Sequence, residues 1–140
     1  MSNRYEHNII PKSTAPNSPH TPVDVSMMTH YSSAGSVNIT GEGYYVGAYG
    51  NAWAYSYNSS GNSTSTTSVI ITVTIDGVSV PSLAESSTDS LTRSVYSSSQ
   101  SGCSSMGGMY PFSNSLVVSA SATASGNLDT NASSKIYYWM

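Results

Sequence analysis

From about residue 27 onward, apolar and polar positions alternate with a period of two and are interrupted by Gly, Asn, Asp and Pro. This is the pattern of half-buried strands joined by turns. Ser36-Val-Asn-Ile-Thr40 alternates and stops at Gly41-Glu-Gly43. Tyr44 to Tyr57 reads as a hairpin of two runs broken at Gly50-Asn51, with Tyr45, Gly47 and Tyr49 on one face of the first run and Trp53, Tyr55 and Tyr57 on one face of the second. Asn58 to Ser68 contains only Asn, Ser, Thr and Gly, so it is an exposed loop or the polar end of the next strand. Val69-Ile-Ile-Thr-Val-Thr-Ile75 is the strongest strand, and Asp76-Gly77 before Val78-Ser-Val80 predicts a type I′ hairpin, because Asp and Gly tolerate positive φ. Pro81 closes that unit, and the polar segment from Pro81 to Ser90 reads as loop. Leu91 to Tyr96 predicts a weak strand, Ser97 to Tyr110 a long loop carrying Cys103, Ser115 to Ala124 a strand, Gly126-Asn127 a turn, and Ser134 to Trp139 the last strand. Seven or eight short strands without a helical period predict an all-β fold, an antiparallel β-sandwich or jelly-roll, over residues 26–140.

Residues 1–25 follow a different pattern. Pro11, Pro16, Pro19 and Pro22 each remove a backbone donor and bias the preceding residue to extended geometry, which predicts an extended N-terminal arm. Its few apolar or aromatic residues, Tyr5, Ile9 and Ile10, precede the prolines and have no local partner. The arm is therefore either a passive tail or an anchor, with Tyr5, Ile9, Ile10 and Pro11 docking on another subunit and the later prolines acting as a spacer.

Composition sharpens this picture. Charged residues make up 8% of the chain and the net charge is -3; a typical soluble protein carries about 25%. A phosphate-tracking protein needs a basic stripe, so nucleic-acid binding is excluded. Eleven Tyr and two Trp argue against disorder. The single cysteine, Cys103, excludes an internal disulfide framework. No apolar run is long enough for membrane insertion, and the stretch around Ile9-Ile10 is too short for a signal peptide, so export by that route is not expected. Residues 26–140 hold only two basic side chains, Arg93 and Lys135, although strand edges are commonly guarded by charge. Edges covered by partner copies would account for this, so a homo-oligomer, with a trimer among the options, is expected.

Candidate chemistry is sparse. His7, His20 and His30 lie in or beside the arm, where a catalytic base cannot be held rigidly against a nucleophile. Metal-ligand spacing is absent, and only copies of His20 or His30 meeting on a symmetry axis would bind a metal. Glu42, Glu85 and Asp89 are the acids available for a glycosidase pair, and all three read as solvated loop acids. We therefore expect no enzyme, no cofactor and no metal. The glycine- and methionine-rich stretch Ser101 to Met109 lacks the Lys and following helix of a phosphate loop and reads as a flexible contact loop. Six aromatics crowd residues 44–57. The Trp53 face is expected to be core, and Tyr44, Tyr55 and Tyr57 are candidates for a recognition surface that would bind a host-surface glycan or another protein.

Gly43-Tyr-Tyr-Val-Gly-Ala48, Ile71-Thr-Val-Thr-Ile-Asp-Gly77, Pro111-Phe-Ser-Asn-Ser-Leu-Val-Val118 and the final Tyr137-Tyr-Trp139 occur in an order that resembles small β-sandwich virion proteins of tailed bacteriophages, over roughly residues 36–140. The resemblance implies a non-enzymatic structural component of head-decoration, collar or tail-fibre type. It would be made in the host cytoplasm, assemble on the virion with other virion proteins and attach through its arm. A carbohydrate-binding or receptor-binding adhesin module is the alternative.

Overall fold

The computed structural model describes residues 24–140 apart from Ser94, Met106 and Gly107. The expected anchoring residues Tyr5, Ile9, Ile10 and Pro11, and His7 and His20 with them, lie outside the described residues. A single 3-10 turn, Val25–Met27, precedes ten strands: β1 His30–Ser33, β2 Ser36–Thr40, β3 Gly43–Asn58, β4 Ser63–Ile75, β5 Val78–Ser79, β6 Leu83–Leu91, β7 Val95–Ser104, β8 Tyr110–Phe112, β9 Ser115–Ser125 and β10 Asp129–Trp139.

All pairings are antiparallel. One sheet, here sheet A, runs β1-β10-β3-β7, and β8 extends β3 beyond the end of β7. The other, sheet B, runs β2-β9-β4, with β5 and β6 both paired to β4. With β5 and β8 set aside as short additions, eight strands remain in the orders β1-β10-β3-β7 and β2-β9-β4-β6. Most sequence neighbours therefore sit in opposite sheets, which is jelly-roll connectivity.

The interior changes character along the strands. At one end Ile71, Val73 and Ile75 of β4 pack with Leu116 and Val118 of β9, Ile136, Phe112, Tyr45 and Ala48 in a continuous apolar core. Burying each large side chain there contributes about 1.5–3 kcal/mol. At the other end the inward positions are Ala52, Ala54 and Ser56 of β3, Ser63, Ser65 and Thr67 of β4, and Ser97, Ser99 and Ser101 of β7. Hydroxyls bridge the sheets directly there: Ser99 Oγ donates to Ser65 Oγ at 2.9 Å, and Thr67 Oγ1 and Ser101 Oγ lie 2.7 Å apart. Ser56 Oγ donates to the Thr64 carbonyl at 2.7 Å.

This small-residue half revises several expectations. No hairpin turns at Gly50-Asn51; β3 is one strand of 16 residues, and Gly50 pairs with Ser134 on one side and Cys103 on the other. Its missing side chain answers to packing, since a Cβ there would stand 2.7 Å from Val69 Cγ1. Trp53 is not core. Ala52 and Ala54 face inward instead, because only small side chains fit between sheets this close. From Leu83 on, segment 81–90 belongs to strand β6 rather than a loop, and Ser97 to Ser104 belongs to β7. The single strand expected over Leu91 to Tyr96 is divided between two, Leu91 ending β6 and Val95 and Tyr96 beginning β7, with Arg93 between them at φ 74°. The polar stretch before Val69 is the start of β4, whose serines point inward.

Two carboxylate contacts tie elements together. Asp76 (φ 50°) and Gly77 (φ 83°) form the expected type I′ turn. The Asp76 carboxylate also accepts the backbone N–H groups of Ser113, Asn114 and Ser115 at 3.0, 2.6 and 3.0 Å, and the Ser113 hydroxyl at 3.2 Å. Burial alone would lift this carboxyl, but the Ser115, Ser113 and Asn114 amides outweigh it and hold the pKa below its ordinary value. Along the side of the sandwich, Asp89 accepts Ser98 N–H at 2.9 Å and Glu85 accepts Gly102 N–H at 2.7 Å. The acids expected to be solvated in a loop thus cap the outward donors of β7, guarding the edge within the chain.

Candidate functional site

Outward positions of sheet A carry the aromatic side chains of β3, β10, β1 and β7. Alternation along β3 sends Tyr49, Asn51, Trp53, Tyr55 and Tyr57 to this face while Ala52, Ala54 and Ser56 point inward. The β10 register sets Lys135 opposite Tyr49, Ser133 opposite Asn51, and Asn131 opposite Trp53. The β7 register sets Gln100 opposite Trp53, Gly102 opposite Asn51, and Tyr96 opposite Tyr57.

Two aromatic groups result. In the first, His30 stacks on Tyr137 with centroids 5.8 Å apart and planes within 3°, and Tyr137 stacks on Tyr49 at 6.4 Å. Desolvation together with the Tyr49 hydroxyl pushes the Tyr137 phenol above its ordinary pKa. In the second, Trp53 meets Tyr55 at 5.2 Å and Tyr57 meets Tyr96 at 4.5 Å. Such tilted pairs lie within the favourable range of aromatic contacts, about 4.5–7 Å between centroids.

The three tyrosines proposed from sequence as a recognition surface separate here. Tyr55 and Tyr57 are exposed, at 41% and 36%. Tyr44 is fully buried and is removed from the surface set. The register against β10 slips between Tyr137 and Tyr138, opposite Gly47 and Tyr45, so the alternation assumed from Tyr44 to Tyr57 breaks near Val46. Tyr44 then lies between its paired neighbours Trp139 and Pro111, and Tyr45 turns into the core.

Between the two aromatic groups the face dips. Gly102 has no side chain, and around it Asn51, Trp53, Gln100 and Glu85 line an open depression of about 600 Å³. Glu85 enters from β6, its Oε1 fixed by the Gly102 N–H. Amide, carboxylate and indole groups thus converge on one concavity. Sequence reasoning placed Gln100, Gly102 and Glu85 in loops; the signal available was the strict alternation of Ser97, Ser99 and Ser101 with larger or exposed neighbours.

Other reactive groups are engaged in structure. Cys103 is half-buried and its thiol points to the Val69 carbonyl at 3.8 Å. Burial, aided by the Glu85 charge, raises its pKa, the wrong direction for a nucleophile. The Tyr45 phenol is raised by burial and shares a hydrogen bond with Ser105. Among the described residues no group of three His, Cys, Asp or Glu side chains is placed to hold a metal ion.

No protein-family model and no curated protein matches the chain. Among solved structures it is similar to a chain in the structure of infectious bursal disease virus, Gx strain, at 14% identity and a TM-score of 0.26. The match covers 86% of this chain and 34% of the other, so the chain spans about a third of that relative's length. The relative is viral and is not a bacteriophage protein. The likeness is loose, and the fold assignment rests on strand order.

Proposed function

We propose that the chain is a non-enzymatic structural protein of a virus particle that self-associates through the outer face of sheet B. The observation that carries this reading is the eight-strand jelly-roll order, an architecture used by viral capsid domains and also by lectins and cupins, so the step from fold to role is one of analogy. The surface supports self-association. On sheet B the outward residues of β2, β9, β4 and β6 include Asn38, Thr40, Ser119, Ser121, Thr72 and Thr88, with Ile70 and Val117 exposed at 44% and 39%. The ionisable side chains described lie on sheet A, in turns, or pointing inward from β6, so this face is free of charge. A second copy docking on it desolvates hydroxyl and methyl groups without desolvating an ion.

Within viruses, the resemblance of residues 36–140 to tailed-phage sandwich proteins favours a head-decoration, collar or tail-fibre component attached through residues 1–25. Immunogold labelling of purified particles with antibody to the chain, together with mass spectrometry of their proteins, tests the proposal. Regular labelling at one location on the particle is expected; a chain found only in the lysate and absent from particles overturns it.

A further inference from the structure

We propose that the depression over Gly102 is a subsite for a neutral pyranose unit of a glycan, with Trp53 as its apolar wall. The inference goes beyond the structural role proposed above and relocates the glycan-binding alternative from Tyr44, Tyr55 and Tyr57 to a defined concavity. Its volume, about 600 Å³, lies in the range of small-ligand sites, about 300–1,000 Å³. The lining is suited to polyols. The Asn51 and Gln100 amides each offer two donors and an acceptor, and the Glu85 carboxylate keeps acceptor capacity after taking the Gly102 N–H. A sugar ring presents hydroxyls at its rim and C–H groups on its face; the rim matches these side chains, and the C–H face packs on an indole.

Charge narrows the class. Arg93 and Lys135 are the Lys and Arg side chains among the described residues, and neither lines the depression. Glu85 does line it, so phosphate, sulfate and sugar carboxylates meet an uncompensated negative charge. A neutral hexoside or N-acetylhexosaminide meets none. The site is also rigid: Asn51 and Trp53 stand on the central strand β3, which is paired on both sides, and Gln100 and Gly102 on β7 directly opposite them. Preorganised side chains lose less entropy on binding.

Gly102 gives a clean test. A Cβ built there meets only Gly50 O at 3.7 Å and Asn51 Cβ at 3.9 Å, which is ordinary contact, so Gly102→Val is compatible with the strand while filling the depression. The full chain is titrated with the methyl glycosides of glucose, galactose, mannose and N-acetylglucosamine, and the Trp53 indole and Gln100 side-chain amide resonances are followed by NMR. At least one glycoside is expected to shift both. Gly102→Val should abolish the shift with an unchanged melting temperature, Gln100→Ala should weaken binding about tenfold, a loss of about 1.4 kcal/mol, and Lys135→Ala should leave it intact. Gln100→Ala carries the test should Gly102→Val fail to fold. A polymer of the responding unit that binds more tightly per unit identifies a surface glycan as the source, and equal affinity a free sugar. No response to any of the four glycosides, or undiminished binding by folded Gly102→Val or Gln100→Ala, overturns the subsite. Particle localisation and sugar binding fail independently of one another.

Discussion

At the scale of single residues, the distance between the sheets decides what each position tolerates. Gly50 faces Val69 so closely that even one methyl group must displace a core side chain held in a paired strand. Overpacking of this kind costs about 1–3 kcal/mol, so Gly50→Ala should lower the melting temperature by several degrees. The inter-sheet hydroxyls offer a sharper contrast. Ser99→Ala leaves the buried Ser65 hydroxyl without the donor it has now, a loss of about 1–3 kcal/mol. Ser97 Oγ is buried with no partner among the described residues, so Ser97→Ala removes a polar atom that makes no bond and should be neutral or stabilising. Chemical denaturation of the two variants side by side checks the pair; equal losses would mean that the hydroxyl bridge contributes nothing. Trp53→Ala belongs to the same scale. A core Trp would cost about 3–5 kcal/mol, but Trp53 is half-buried on the outer face, so its removal should cost well under half of what Phe112→Ala costs in the same thermal melt.

At the scale of elements, the Asp76 carboxylate latches the β4–β5 turn to the segment joining β8 and β9. Its depressed pKa fixes the sign of the pH dependence. The contribution is fully present above the unfolded-state value, about 3.9, and is lost as pH falls through the lower folded-state value. Asp76→Asn should therefore melt earlier than wild type at neutral pH, and the gap should narrow below about pH 4. A constant gap down to acid would show that charge is not what Asp76 contributes. This turn was legible in the sequence because Asp-Gly between alternating apolar runs admits few structures, and β2 was legible because Ser36-Val-Asn-Ile-Thr40 alternates between its capping turns. β6 and β7 were not. Their inward residues are Ser87, Ser97, Ser99 and Ser101 as well as Glu85 and Asp89, so inward and outward positions are equally polar and hydrophobic periodicity falls silent. The same blindness hid the candidate subsite, whose Gln100 and Gly102 sit on β7. Strand β3 misled in the opposite way: from Tyr49 to Tyr57 its large aromatics face out and its alanines face in, reversing the size rule that assigns Trp53 to the core.

At the scale of the whole molecule, charge is distributed by face. His30, Lys135 and Asp129 stand on strands of sheet A, Glu85 and Asp89 are turned toward β7, Asp76 is locked in its turn, and among the described residues none on the outer surface of sheet B is ionisable. An isologous contact between two such faces, related by a twofold axis, sets hydroxyls and the exposed Ile70 and Val117 against their counterparts. A standard interface buries about 800 Å² per partner, which four strands spaced about 4.8 Å apart can supply when the longest has 13 residues. An ion introduced at the centre of the contact would meet its own copy across the axis in a desolvated setting, a like-charge arrangement that costs several kcal/mol. Ile70→Lys changes an exposed position that pairs with Ser121 and Ala84, so the isolated fold should lose no more than about 0.5 kcal/mol. Sedimentation velocity should find the wild-type chain as an oligomer and the Ile70→Lys chain as a monomer of unchanged melting behaviour, while the same substitution at Ser98, on the opposite sheet, should leave the oligomer intact. A wild-type chain that sediments as a monomer, or an Ile70→Lys chain that still assembles, would remove sheet B as the contact and leave its lack of charge without an explanation in assembly.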